Sequence, residues 1–262
     1  MSELQAFELV VNAPGLTLDQ SVALIAKCVR PPVDVGEVLD RLDSLADQFR
    51  GAGFDELRSA LFGPLGFRGN TDDYGDPENS MIDAVLQRKC GIPITLAIVM
   101  IEVGRRLAVD IAPIGMPGHF LVQDVDSGTL CDPFHGGVAL TVEDCRRMHD
   151  GVFRGRRPFD LGDLRPVRSE VVLARVLNNL EQSRLGTDRR TLATLLHLHR
   201  VIPSLPPHEY FAIASRFDAI GHYPSAGSAA QLAVDALVRS DASAETVAAA
   251  QRVMLQYWAR SN

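Results

Sequence analysis

The chain has 262 residues, of which 46% are apolar and 23% are charged, the composition of an ordinary globular protein. Its 26 lysines and arginines are outnumbered by 33 acidic residues, so the net charge is −7. Without a sustained basic field, nucleic acid is excluded as the expected partner. Four cysteines, Cys28, Cys90, Cys131 and Cys145, are too sparse for a disulfide framework. We therefore expect reduced thiols.

The N-terminus and the apolar runs carry no pattern for export or membrane insertion. The first residues lack the basic segment and the small-residue cleavage site of a signal peptide. The longest apolar run, Ile92–Val103, contains Glu102 and is shorter than the about 20 residues that span a bilayer. The sequence thus predicts a cytoplasmic protein without membrane association.

Residues 1–68 predict an N-terminal layer of helices. Apolar side chains recur every three or four residues along two stretches, as in amphipathic helices. A proline pair ends the first stretch, and Gly51 and Gly53 end the second. A short third helix precedes a segment rich in glycine and aspartate, which is typical of a loop.

A central helix is predicted from Pro93 to Leu107, after a shorter helix from Ser80 to Arg88. Proline is tolerated at the first helical position because the N–H that it lacks has no intrahelical partner there. The residues that follow are apolar nearly all round, which indicates a helix at the centre of a core.

The pattern then changes to that of short strands. Four segments combine β-branched or alternating residues with flanking glycines and prolines: Ile111–Gly115, His119–Val125, Thr129–Phe134 and Val138–Leu140. Asp126–Gly128 suits a hairpin turn between the second and the third. These features predict a small antiparallel sheet.

From Ser169 to the end, the pattern is helical. Short loops with glycine or proline separate five helices, predicted at Ser169–Leu185, Asp188–Val201, Pro207–Ile220, Ser225–Ser240 and Ala242–Ala259. Helix pairs of about 34–37 residues are similar in length to tetratricopeptide hairpins. The predicted fold class is therefore α+β, with N-terminal helices in residues 1–68, a core with a small sheet in 69–168 and a tetratricopeptide-like helical region in 169–262.

His119 and Asp132 are the residues best placed for chemistry. They lie on strands that are predicted to be neighbours, so the carboxylate is able to orient the imidazole. A base and its orienting group form half of a nucleophile triad.

Four motifs together resemble the transglutaminase-like superfamily. In chain order they are Tyr74–Ser80, Gly91–Ala97, Pro117–Phe120 and Asp132–Gly137. They are similar to its bacterial, invasion-regulator-type branch, whose members carry a tetratricopeptide-like tail. The resemblance implies a papain-like core that requires no cofactor, with His119 and Asp132 in the positions of the catalytic histidine and aspartate.

The resemblance also implies a cysteine nucleophile at the N-terminus of the central helix, where the helix would lower the pKa of a thiol. Counting back from Ala97, and from the helix end at Ala108, places this nucleophile at Pro93, which has no nucleophilic group. Cys90, three residues upstream, and Thr95, in the first helical turn, are the alternative nucleophiles. Their structural roles would be a half-buried thiol and a hydroxyl that satisfies a free helix N–H.

A second cluster has the residue types of a zinc site. Cys131, His135, Cys145 and His149 form the pattern Cys-x3-His-x9-Cys-x3-His. Zinc binds sets of two cysteines and two histidines, although this spacing is not a standard one. We expect no metal and keep this set as the alternative.

Two functions follow from the sequence. In the first, the protein has lost thiol chemistry, and its cleft or helical tail binds a protein or peptide as a regulatory module. In the second, it is an acyl transferase or hydrolase, such as a peptidase, deamidase or transglutaminase, in which Cys90 or Thr95 acts with the His–Asp pair. The residues expected to line the binding site are Tyr74, Asn79, Met116 and Phe134.

Overall fold

Two units make up the chain in the structure, a computed structural model that describes residues 1–260. The core unit comprises Thr17–Val176. The helical unit comprises Met1–Leu16 and the chain from Leu177 onward. Helices and a small antiparallel sheet are both present, in agreement with the predicted α+β class.

Twelve α-helices and six strands lie within the described residues. The helices are α1 (Glu3–Val11), α2 (Leu18–Val29), α3 (Val35–Asp47), α4 (Phe54–Phe62), α5 (Ile82–Arg88), α6 (Pro93–Arg106), α7 (Val142–Phe153), α8 (Ser169–Gln182), α9 (Arg189–Arg200), α10 (Pro207–Ala219), α11 (Tyr223–Arg239) and α12 (Ala244–Ala259). The strands are β1 (Arg68–Gly69), β2 (Cys90–Gly91), β3 (Ile111–Ile114), β4 (Leu121–Asp124), β5 (Leu130–Asp132) and β6 (Val138–Leu140).

Helix α6 is the centre of the core unit. It contacts α2, α3, α4 and α5 as well as β3 and β4, and most of its side chains are buried. This environment explains why the helix is apolar on nearly every face. Pro93 is its first residue, where the missing N–H costs no hydrogen bond.

The four-stranded sheet has the order β3-β4-β5-β6, and every neighbouring pair is antiparallel. Val122 on β4 faces Cys131 on β5, and Asp132 faces Val138 on β6. Strand β4 begins at Leu121 rather than at the predicted His119, because a turn that His119 closes directly precedes the strand. The sheet thus places His119 just before β4 and Asp132 at the end of β5.

The sequence did not reveal the short parallel pair of β1 and β2. Arg68 pairs with Cys90 and Gly69 with Gly91, and two residues are too few for a recognisable period. The predicted helix from Ser80 also differs, since a 3-10 turn at Pro77–Ser80 precedes α5.

A cluster of buried charges joins α2 to the end of α6. Asp19 Oδ2 accepts hydrogen bonds from Arg105 and Arg106, both at 2.8 Å. Glu102 Oε2 accepts from the same arginines, and its Oε1 accepts from the Leu18 backbone N–H at 2.9 Å. Burial and the nearby Asp19 raise the pKa of Glu102, whereas hydrogen bonds from Thr17 and Arg106 outweigh burial and lower the pKa of Asp19.

The helical unit contains α1 and the helices that follow α8. Contacts join α1 to α9, α9 to α10, α10 to α11 and α11 to α12. The buried residues of α11 are mostly alanines, whose small side chains allow close helix packing. Glu181 accepts a hydrogen bond from buried His199 at 2.8 Å and pairs with Arg216. Within residues 1–260, no helix combines the length and apolar character that crossing a membrane requires.

Candidate functional site

Two imidazoles converge on one carboxylate oxygen at the end of β5. His119 Nε2 lies 3.0 Å and His135 Nδ1 2.7 Å from Asp132 Oδ2. The carboxylate is 1% exposed, the His119 side chain 12% and the His135 side chain 55%. The structure therefore brings the predicted His119 and Asp132 together and adds His135 to the pair.

The chain beyond β5 folds back to hold the Asp132 carboxylate. Its Oδ1 accepts hydrogen bonds from the backbone N–H of Phe134 at 2.9 Å and of His135 at 3.3 Å. Aspartate characteristically stabilises turns in this way. Burial alone would raise the pKa of Asp132, but the hydrogen bonds and charges of His119 and His135 lower it below its ordinary value.

The depressed pKa of Asp132 predicts a pH-dependent stability. Because the carboxylate is favoured in the folded state, its stabilisation is complete above the unfolded pKa of about 3.9 and is lost as pH falls through the lower, folded pKa. We expect the difference in unfolding free energy between wild type and Asp132→Asn to be largest near pH 7 and to shrink below about pH 4. Urea unfolding from pH 7 to pH 3 measures it, with Asp126→Asn at an exposed turn as the control. A difference that stayed constant over this range would contradict the assignment.

The ionised Asp132 fixes what His119 is able to do. A carboxylate only accepts hydrogen bonds, so His119 Nε2 carries the hydrogen that points at Asp132. In the neutral ring this leaves Nδ1 as a hydrogen-bond acceptor and as a base. The pair thus has the chemistry of a base with its orienting group.

A tight turn positions His119. The His119 backbone N–H donates to Met116 O at 3.1 Å, with Pro117 and Gly118 at the two central positions. Gly118 has φ +78°, and a Cβ on it would lie 2.8 Å from Val152. Proline followed by glycine at positive φ is the sequence signature of a type II turn.

Replacing Gly118 with alanine is expected to lower the free energy of unfolding by about 2 kcal/mol, from backbone strain and from the clash with Val152. Gly128→Ala is the matched control, because Gly128 has φ +76° and no heavy atom within 4 Å of its Cβ position. Urea unfolding of both variants separates the two causes. Equal losses in both variants would show that the contact with Val152 contributes nothing.

At the start of α6, the Thr95 hydroxyl forms hydrogen bonds with backbone groups. Its Oγ1 lies 2.6 Å from Asn79 O and 3.1 Å from Ile92 O, and it accepts from the Ile92 N–H at 3.2 Å. Thr95 is 1% exposed. The hydroxyl therefore satisfies a backbone group at the helix start, while Pro93, also buried, offers no side-chain donor or acceptor.

The three buried thiols lie in different surroundings. Cys90 is in β2, and no hydrogen bond of its thiol occurs within residues 1–260. Burial raises the pKa of Cys131 to about 12. Burial, followed by the charge of Asp144, raises the pKa of Cys145 to about 11. Neither Cys131 nor Cys145 is therefore a thiolate near neutral pH.

The four predicted lining residues divide into two buried and two accessible ones. Asn79 and Met116 are fully buried, and the Asn79 amide donates to Asp73 O at 2.8 Å. Tyr74 is 58% exposed, and its ring meets that of Phe134 edge-on at 5.8 Å between centroids. Asn79 and Met116 thus support the loops from within, whereas Tyr74 presents surface to a ligand.

Among the described residues, one group brings three potential metal ligands together: His119, Asp132 and His135, whose ligand atoms lie within 4.8 Å of one another. Two imidazoles and a carboxylate form a donor set suited to a transition metal. The alternative set of two cysteines and two histidines does not come together in this way. Cys145 lies in an apolar cluster with Ile114 and Leu121.

Sequence reasoning missed Arg175, on the first half of α8. Its Nη2 donates to His119 O at 3.0 Å and its Nη1 to Met116 O at 3.4 Å. Both acceptors lie more than 50 positions away along the chain. The only local signal is a single arginine within an otherwise apolar stretch of the helix.

Comparisons with known proteins identify the superfamily of the chain. A family model described as the transglutaminase-like superfamily matches residues 35–178, which is more than half of the chain. A UPF0162 protein of Xylella fastidiosa is 39% identical over 153 residues, 56% of this chain and 54% of that protein. A UPF0162 protein of Pseudomonas aeruginosa is 28% identical over 181 residues, 66% of each chain.

A eukaryotic relative matches a shorter stretch. F-box only protein 21 of Homo sapiens is 34% identical over 104 residues, 36% of this chain and 17% of that protein. The chain spans about half the length of the Xylella relatives that it matches. No solved structure matches it. By the family match over residues 35–178, the chain belongs to the transglutaminase-like superfamily.

Proposed function

We propose that this protein is a transglutaminase-like module that binds a peptide or a protein segment at the His119–Asp132 site and does not perform thiol chemistry. One observation carries the proposal. The buried residue at the start of α6 is Pro93. The superfamily resemblance implies a cysteine nucleophile at this position, and proline has no nucleophilic group.

The state of the neighbouring candidate nucleophiles supports this function. The Thr95 hydroxyl is occupied by backbone groups of Asn79 and Ile92, which opposes its activation by a base. Cys131 and Cys145 have raised pKa values and so stay protonated. An oriented His119 without a nucleophile is still able to accept a hydrogen bond through Nδ1 from a ligand N–H or O–H.

Aromatic rings beside the histidine offer contact area for such a ligand. The Phe134 ring lies 6.3 Å from that of His119 and 5.8 Å from that of the exposed Tyr74, measured between centroids. Aromatic side chains contribute much of the energy at recognition sites.

The second candidate function is an acyl transferase or hydrolase that uses Cys90 with His119 and Asp132. The observation that favours it is the intact His–Asp pair, with 3.0 Å between Nε2 and Oδ2, because a base and its orienting group are what such an enzyme requires.

We also propose a branch of the superfamily and a location for this protein. We place the protein in the invasion-regulator-type branch, with a papain-like core and tetratricopeptide-like helices after residue 168, and in the cytoplasm. The motif order and the chain of contacts from α9 to α12 support this classification.

Turnover assays distinguish the two functions. Wild type, His119→Ala and Asp132→Asn are tested for peptide hydrolysis, glutamine deamidation and amine transfer to glutamine, and a thiol alkylating agent is applied to the folded protein. We expect no turnover by the wild type. We also expect Cys90 of the wild type to react with the alkylating agent no faster than Cys90 of the His119→Ala variant. Turnover that both variants abolish, or rapid Cys90 labelling that depends on His119, would overturn the binding function.

A further inference from the structure

Arg175 is a cation that no acidic group neutralises within the described residues. It forms no ion pair there, and its hydrogen bonds go to the backbone carbonyls of His119 and Met116. Its guanidinium lies 5.0 Å from the centroid of the buried Phe120 ring. Burial lowers the pKa of Arg175, and the only opposing influence is the phenol of Tyr74.

Arg175 has hydrogen-bond donors that the described fold does not use. A guanidinium has five N–H groups, and two bonds to carbonyls leave others without a partner. The buried side-chain atoms that lack a partner include Nε of Arg30 and of Arg200 but no atom of Arg175. Nε of Arg175, which has no hydrogen-bond partner among the described residues, is therefore not fully enclosed, and the residue as a whole is only partly buried.

Other arginines of the core unit differ from Arg175 because they are paired with acidic side chains. Arg106 bonds to Asp19, Asp43 and Glu102, and Arg30 bonds to Glu78 and Asp83. A partly buried charge without an acidic partner is costly, so a structural role alone is better served by a neutral donor to the two carbonyls.

We propose that Arg175 binds a carboxylate of the ligand, directly beside His119. Guanidinium groups recognise carboxylates through paired hydrogen bonds, and the phenol of the exposed Tyr74, which interacts electrostatically with Arg175, is a second potential donor. The inference rests on the proposed binding function and names the chemical group that the ligand presents.

The ligand carboxylate has two sources in a peptide, its C-terminus and an acidic side chain. Three pools of fluorescein-labelled hexapeptides separate them, all built from glycine, alanine, leucine, phenylalanine and glutamine. The first has free C-termini, the second is amidated, and the third is amidated and carries one glutamate. Binding is measured by fluorescence anisotropy in low salt.

We expect the first or the third pool to bind at least ten times more tightly than the neutral second pool. Arg175→Gln should remove this preference, whereas Arg168→Gln, at an exposed arginine seven positions earlier, should retain it. Arg175→Lys keeps the charge and the apolar stem, so it replaces Arg175→Gln in the comparison if that variant fails to fold, with a weakened preference expected.

Equal binding of all three pools to the wild type would overturn this inference and leave the binding function standing. Binding of no pool would overturn both. A preference for carboxylates that depends on Arg175, combined with turnover in the assays above, would keep the inference and remove the non-catalytic function.

Discussion

Replacing Pro93 with cysteine is expected to create a thiol whose pKa lies below about 7.5, compared with about 8.5 for an ordinary cysteine. Residue 93 is buried, which by itself would raise the pKa of a thiol there, and two physical effects oppose this burial. The N-terminus of α6 carries a partial positive charge that favours the thiolate. The superfamily resemblance implies that His119, oriented by Asp132 at 3.0 Å, lies beside this position, where its imidazolium form would stabilise the thiolate. The thiolate absorbance at 240 nm, recorded as a difference from wild type over pH 4–10, measures this pKa without requiring reagent access.

Two comparisons separate the effects. Ile94→Cys places a thiol on the same helical turn, so it experiences the helix end without being directed at the same position. Combining Pro93→Cys with His119→Ala removes the imidazole, and the pKa should rise by one unit or more. A pKa at or above 8.5 that is unaffected by His119 would show that Pro93 does not occupy the nucleophile position, and the proposed function would lose the observation that carries it.

Replacing Asp19 with alanine is expected to lower the free energy of unfolding by about 3 kcal/mol, because it removes a buried carboxylate that Arg105 and Arg106 share and leaves the partly buried charge of Arg106 with fewer acidic partners. The Asp19 side chain is 3% exposed and contacts both Arg105 and Arg106, of which Arg106 is 13% exposed. Urea unfolding at pH 7 measures the loss, which corresponds to more than a hundredfold change in the unfolding equilibrium.

Asp43→Ala is the matched control for this prediction. Asp43 pairs with the same Arg106, but its side chain is 62% exposed, and exposed ion pairs contribute about 0–1 kcal/mol. The two variants remove the same type of group from the same partner and differ in burial. A loss below 1 kcal/mol for Asp19→Ala would contradict the buried-charge explanation.

Features set by neighbours in the chain were predictable. The four strands of the sheet and the start of α6 each depend on residues a few positions apart, such as the glycine and proline that flank the strands or Pro93 itself. The contact between His119 and Asp132 also followed, because consecutive antiparallel strands place their ends side by side.

Features that depend on residues far apart in the chain were not predictable from the sequence. Arg105 and Arg106 lie in the last turn of α6, but their partner Asp19 lies 86 and 87 positions away. The hydroxyl of Thr95 was expected to meet a backbone group, yet the acceptor Asn79 O lies 16 positions away. His135 came to Asp132 through a turn after the strand, which periodicity does not describe.

The sequence by itself determined the α+β class, the central helix, the short antiparallel strands and the histidine–aspartate pair, since hydrophobic period, proline and glycine act locally. Only the tertiary structure decided which polar groups are occupied and which stay open. It assigned the Thr95 hydroxyl to the backbone, brought two imidazoles onto the Asp132 carboxylate and left the Arg175 guanidinium without an acidic partner among the described residues. The reason is physical: whether a buried polar group is paired depends on atoms that folding brings from remote parts of the chain.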